Sequence, residues 1–176
     1  MSDASDTVWE GRYLTVRQSG TWEYAERKGR IGAAVIVAVD DDGRLVLVEQ
    51  YRIPIGCRTL ELPAGLVGDE EAGESLADAA ARELEEETGF RPAQVEDLGL
   101  FYSSPGMTSE SFTIVRATGL TRVGEGGGAG DEDITVHLVP LTEVASYVQR
   151  ARDAGLAIDA KILLVLDVAT MGNGGR

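Results

Sequence analysis

The sequence predicts an α+β domain, and three observations carry that prediction. Short apolar, β-branched runs are separated by turn signals. One stretch, Ser75 to Gly89, switches from a period of two to a period of 3.6. The helices gather after strands instead of alternating with them. A chain of 176 residues suits one domain with a real core.

Taken in order, Met1 to Thr7 is polar and reads as loose, as does the tail from Gly172 to Arg176. Arg12–Val16 and Thr21–Arg27 read as short strands around a turn at Gly20. Ala33–Val39 and Leu45–Tyr51 are β-branched runs joined through Asp40-Asp-Asp-Gly43, where Asp-Gly tolerates the positive φ of a tight turn. The three aspartates lack calcium-loop spacing, so a turn is the reading. From Ser75 a helix is predicted, with Leu76, Ala80 and Leu84 on one face, Ser75 and Asp78 as its capping pair and Gly89 as its stop. Strands follow at Leu98–Tyr102, Ser111–Thr118 and Thr135–Pro140, then helices over Glu143–Ala154 and from Asp159 to about Ala169. The stretch from Gly124 to Asp133 reads as a mobile glycine loop carrying acids. It lacks the Lys-Ser/Thr ending of a Walker-type phosphate loop.

The formal charge of −14 argues against nucleic acid or an anionic membrane as partner. No run of 18 apolar residues is present, and the amino-terminal stretch has no signal-peptide pattern. The lone Cys57 excludes an internal disulfide, so the expected location is the reducing cytoplasm.

The stretch Ala81-Arg-Glu-Leu-Glu-Glu-Glu-Thr-Gly-Phe90 crowds four glutamates at the end of a helix. That end carries the negative pole of the macrodipole, and like charges four apart repel by roughly 0.2–0.5 kcal/mol. At about 100° per residue, Glu87 lies about 40° and Glu86 about 60° from Glu83, on opposite sides, so the three share a stripe away from the apolar face. Arg82 reaches Glu86 at i+4, but one guanidinium does not balance three acids. A divalent cation does. All-oxygen ligands favour magnesium, manganese or calcium over zinc. The competing reading is a solvated acidic face, which the placement at the wrong helix end disfavours.

The pattern Gly68-x5-Glu74-x7-Arg82-Glu83-Leu84-x-Glu86-Glu87-x-Gly89-Phe90 resembles the signature box of the Nudix hydrolases at every defined position. The first glycine of the box has two candidates: Gly68, and Gly65 of the triplet Pro63-Ala64-Gly65. Either can make the turn, and the triplet favours Gly65. The resemblance implies an α/β/α sandwich with a mixed sheet, preceded by a short β extension. It implies magnesium, with manganese as a substitute, held by Glu83, Glu87 and the carbonyl of Ala64. Glu86 stands beside these catalytically, and Arg82 orients a carboxylate. Magnesium keeps several waters and bridges substrate phosphates, so few protein ligands suffice, and such ions let an acidic protein bind an anion.

Further stretches are similar to the ADP-ribose pyrophosphatase branch: Gln50-Tyr-Arg52, Glu61-Leu-Pro-Ala-Gly65, Ser104-Pro-Gly-Met-Thr-Ser-Glu110, and Asp131-Glu-Asp-Ile134. Pro105 follows Gly89 by 16 residues, as in that branch. The resemblance covers roughly residues 30–166. It places Arg52 on a phosphate, Glu110 on a ribose and Glu61 among the substrate contacts. It makes Glu132 the candidate for the base or a third metal contact, with Glu125 as the alternative, because the first acid of the loop pair falls on Gly130. Trp22 either stacks on a nucleobase or packs within its strand; Arg30 or Arg27 assists. His137 reads as a packed strand residue and Cys57 as inert. The expected organisation is a β extension over residues 1–30 for dimerisation and base binding, a hydrolase domain over 31–170 and a tail over 171–176. The partners expected are a nucleoside diphosphate sugar substrate and a second copy in a homodimer. The leading activity is magnesium-dependent hydrolysis of ADP-ribose or a close relative. The alternatives are a GDP-mannose-type or broad-specificity pyrophosphatase, and a non-catalytic ADP-ribose-sensing module.

Overall fold

The computed structural model describes residues 5–30, 32–68, 73–130 and 132–165, with the backbone alone at Arg30. Three strands, β1 (Asp6–Glu10), β2 (Leu14–Ser19) and β3 (Trp22–Arg27), form an antiparallel sheet of their own. Strand β1 takes in Asp6 and Thr7, which the polar composition assigned to a loose end. Their backbone groups are paired with Gln18 and Arg17 of β2, a long-range partner that composition does not reveal. Residues Lys28–Arg30 make one helical turn, kinked at Gly29.

Strands β4 (Ala33–Ala38) and β5 (Arg44–Arg52) follow the expected runs closely. The turn between them is closed by Asp40. Its carboxylate accepts from the Asp42 and Arg44 amides at 3.1 and 2.9 Å and pairs with the Arg44 guanidinium at 2.7 Å. A short turn at Ile53–Ile55 leads to β6 (Cys57–Glu61) and β7 (Ala64–Leu66).

Helix α1 (Leu76–Thr88) then runs between the expected boundaries. Ser75 accepts from the Asp78 amide, yet the reciprocal half of a capping box is replaced by a Ser75 hydroxyl bond to the Asp78 carboxylate at 2.6 Å. Gly89 closes the helix at φ 74°. After β8 (Phe90–Arg91) come β9 (Gln94–Tyr102), β10 (Ser111–Thr118), β11 (Thr121–Arg122) and β12 (Thr135–Pro140). Strand β9 starts four residues earlier than its apolar run, because pairing with β10 continues past it. Helix α2 (Val144–Asp153) and β13 (Ala157–Ile158) follow, and residues 161–165 are helical; the expected end of that last helix lies outside the described residues.

Two mixed sheets in the orders β7-β4-β10-β9 and β12-β5-β6-β13 make the middle layer, with β10 parallel to β4 and β13 parallel to β6. On one face, Ala80 and Leu84 of α1 pack against Ala34, Ile36, Val46 and Val115. On the other, Val35, Leu45, Leu47 and Ile114 meet Val144 and Val148 of α2 and also Ile162. The result is the expected α+β, α/β/α sandwich. A fully buried Leu84 contributes about 1.5–3 kcal/mol by burial alone, which fixes α1 to the sheet face.

Candidate active site

Burying the apolar stripe of α1 aims its acidic side at the start of β7. Gly65 makes the close approach possible: a Cβ there would lie 1.8 Å from the Glu83 carboxyl carbon. The two candidate box glycines therefore divide the work. Gly65 lies in β7 beneath Glu83, and the turn itself falls at Gly68, with φ 80°, so the expectation that favoured Gly65 for the turn is corrected. The Gly68 amide donates to Glu74 at 3.3 Å.

Three of the four crowded glutamates have guanidinium partners. Arg82 contacts Glu74 at 3.0 Å, Glu83 at 2.9 Å and Glu86 at 3.3 Å. The hydrogen bond to Glu74, above all, pushes the Arg82 pKa far up, so this residue is a fixed cation. Arg91 grips Glu85 with two bonds of 2.8 and 2.9 Å. Glu87 is different. It is only 5% exposed, and the Ala64 amide donates to it at 3.1 Å. Its pKa is pushed up to about 8, first by burial and then by the nearby charges of Glu83 and Glu132, against the Ala64 bond and the Arg52 charge.

The glycine-rich stretch after β11 is packed against α1, contrary to the reading of a mobile loop. The Gly127 and Gly128 amides donate to the carbonyls of Glu87 and Glu86 at 2.9 and 3.0 Å, filling acceptors that a helix end leaves open. Gly126, Gly127, Gly128 and Gly130 all have positive φ. A Cβ on Gly126 would sit 2.5 Å from the Thr88 carbonyl carbon. Only glycine fits this cap, and the cap delivers Glu132 to the site, where the Ala129 amide anchors its carboxylate at 2.9 Å.

These elements enclose a cavity of about 830 Å³ whose lining includes Glu83, Glu87, Glu132, Ala64, Arg52 and Glu61. Arg27, Ser103 and Glu110 line it too. Arg52 forks onto Glu61 at 2.7 and 2.6 Å, which raises the Arg52 pKa. Glu110 accepts from Ser103 at 2.9 Å and lies 3.5 Å from Arg27. Arg82 and Glu86 are not in the lining; they meet each other beside it, so the stripe of three acids splits into two inside and one outside. Trp22 is likewise elsewhere. It is 63% exposed and borders a second hollow with Tyr24, Tyr102 and Pro105. The side chain of Arg30 lies outside the described residues. Glu125 is not in the cavity lining; its carbonyl accepts from Arg122 at 3.2 Å.

Sequence reasoning missed Asp159 and Lys161, which also line the cavity and are ion-paired with each other. They start a helix read only for its apolar residues; a charged pair two apart at a helix start was the available signal. His137 lies in β12, bonded to Glu49 at 3.1 Å and Tyr147 at 2.9 Å, outside the cavity.

Among the described residues no three His, Cys, Asp or Glu side chains form a ready-made chelate. The donors nonetheless suit a hard cation that keeps waters and takes further oxygens from its substrate. Two carboxylates and the buried charge demand at Glu87 face one cavity. No described helix is long and apolar enough to cross a membrane.

The family model described as NUDIX domain matches residues 29–161. ADP-ribose pyrophosphatase of Mycobacterium tuberculosis is 39% identical over 140 residues, covering 79% of this chain and 67% of that protein. Methanol dehydrogenase activator of Bacillus methanolicus is 39% identical over 123 residues, covering 69% of this chain and 64% of that protein. The chain thus spans about two thirds of the length of these relatives. A crystal structure of ADP compounds hydrolase superposes with a TM-score of 0.72 at 24% identity, covering 98% of this chain and 94% of the other, and shares the fold. With the family model spanning most of the chain, and Glu83 and Glu87 of the box lining one cavity, this protein belongs to the Nudix family.

Proposed function

We propose that this protein hydrolyses the diphosphate of ADP-ribose, or of a closely related nucleoside diphosphate sugar, to a nucleoside monophosphate and a sugar phosphate. The observation that carries the reading is Glu87, its proton affinity raised first by burial and then by the charges of Glu83 and Glu132, in a cavity that also holds Arg52. Glu83, Glu87 and the Ala64 carbonyl hold magnesium, for which manganese substitutes. Held there, such an ion would supply positive charge to the diphosphate and make a water more acidic.

The side chains supply the rest. Glu132 accepts the proton of that water as it adds across the phosphoric anhydride bond. Arg82 keeps Glu83 and Glu86 oriented. Arg52, held by Glu61, offers its remaining N–H groups to a phosphate. Glu110 accepts from a ribose hydroxyl, assisted by Arg27 or Arg30. We read residues 1–30 as an extension for dimerisation and base binding, residues 31–170 as the hydrolase domain and 171–176 as a tail. The exposed Trp9 and Trp22 of the amino-terminal sheet, and Tyr13 in the bend before β2, support a homodimer in which the Trp22 hollow receives the base. The single cysteine supports a cytoplasmic setting.

The test is release of AMP from ADP-ribose with magnesium, for wild type and Glu87→Gln. Equal rates would refute the reading. A GDP-mannose-type or broad-specificity enzyme is separated by comparing adenine and guanine diphosphosugars, since the base hollow lies apart from the acids. Tight ADP-ribose binding without turnover would instead favour a sensing module.

A further inference from the structure

On the face of the sheet that meets α2, a chain of polar contacts runs from that helix to the loop carrying Glu132. The Tyr147 hydroxyl meets His137 Nδ1 at 2.9 Å, and His137 Nε2 meets Glu49 at 3.1 Å. The other Glu49 oxygen accepts from Nε of Arg58. Burial works to raise the Glu49 pKa, but the bonds from Arg58 and His137 prevail and hold it low, so the carboxylate is a fixed anion. Arg58 turns its other N–H groups to the loop and to the Glu49 backbone. Nη1 donates to the Asp133 carboxylate at 2.9 Å, and Nη2 donates to the Asp133 carbonyl at 3.4 Å and to the Glu49 carbonyl at 3.1 Å.

We propose that Arg58 is a positioning residue for hydrolysis: braced by Glu49, it grips Asp133 and so holds Glu132 at the cavity. The proposal rests on the role given to Glu132 above. The loop is anchored at two ends. Upstream, Gly127 and Gly128 are bonded to the end of α1. Downstream, the grip of Arg58 on Asp133 fixes the residue next to Glu132. Between the anchors Gly130 has no side chain to restrict its backbone, and the remaining ties are local, the Ala129 amide on the Glu132 carboxylate and the Ile134 amide on the Gly127 carbonyl, so losing the Arg58 grip loosens the carboxylate. An exposed ion pair contributes little to stability, a median of about 0–1 kcal/mol, and Asp133 is 86% exposed at its side chain. The contact therefore matters for geometry far more than for folding. Arginine is required because one planar fork must meet Glu49 and Asp133 together, which a lysine ammonium on a single stem does not reproduce.

The experiment compares wild type, Arg58→Met, Arg58→Lys, Glu132→Gln and the Arg58→Met/Glu132→Gln pair, on ADP-ribose with saturating magnesium. Arg58→Met is expected to lower kcat about 10- to 100-fold, the scale of a roughly 1 Å misplacement. KM stays within about threefold and the melting temperature within a few degrees. Arg58→Lys recovers little of the loss. In the Glu132→Gln background, Arg58→Met adds no further loss, because both changes act through one group. The proposal is overturned if Glu132→Gln is impaired while Arg58→Met keeps the wild-type kcat, if Arg58→Lys restores full activity, or if the two losses multiply. If Glu132→Gln itself turns over at the wild-type rate, the role of Glu132 fails and this inference fails with it.

Discussion

Replacing Glu87 by glutamine should stabilise the metal-free protein while removing its metal affinity. Glu87 is 5% exposed, and its pKa rises from the ordinary 4.5 to about 8, chiefly through burial. An acid whose folded pKa is raised holds its proton in the native state after the unfolded chain has released it. Between pH 4.5 and 8 the native state therefore binds more protons, and stability falls as pH rises. At about 1.4 kcal/mol per unit, the accumulated penalty by pH 9 is about 3–5 kcal/mol. Glutamine carries no such charge and can still accept from the Ala64 amide. In EDTA at pH 9, Glu87→Gln should melt roughly 6–20 °C above wild type, at about 2–4 °C per kcal/mol for a chain of this size. At pH 5 the two should differ by no more than a few degrees. Magnesium added at pH 9 should raise the melting temperature of wild type alone. Calorimetric melts at the two pH values, with EDTA or magnesium, read all of this. Coincident melting at pH 9 in EDTA would refute the buried charge demand, and equal magnesium stabilisation of both proteins would refute Glu87 as a ligand.

Two glycines test the supports of the site. Gly65→Ala places a methyl 1.8 Å from the Glu83 carboxyl carbon, so the carboxylate must swing away. Titration calorimetry should then show magnesium affinity reduced at least about tenfold, with only about 1–3 kcal/mol of destabilisation in denaturant melts. Gly126→Ala meets backbone, 2.5 Å from the Thr88 carbonyl carbon, at φ 72°. The left-handed conformation and the clash together should cost about 2–4 kcal/mol and lower kcat as the cap leaves α1, measurable by thermal melts and AMP release. Wild-type stability in Gly126→Ala would mean that the loop does not cap the helix.

Local chemistry was legible in the residues themselves. Ser75, the Leu76–Ala80–Leu84 face and Gly89 set α1 because helix caps and periodicity act within a few positions. Asp40 to Gly43 set their turn for the same reason. The acids around Glu83 announced a charge demand in one dimension, since helical spacing places them without reference to the rest of the fold. The chain could not show which acids share the cavity. Glu86 and Glu83 differ by three positions, yet only Glu83 lines it. Glu132 reaches Glu87 because the Gly127 and Gly128 amides, far along the chain from the helix, cap its carbonyls. Strands β6, β7 and β13 are short, and their pairing partners, not their composition, make them strands. Short-range rules thus determined the helix, the turns and the ligand types, because those energies depend on neighbours in sequence. Burial of Glu87, the separation of Trp22 and the grip of Arg58 on Asp133 were decided only by tertiary packing, because desolvation and side-chain contacts depend on which distant segments meet.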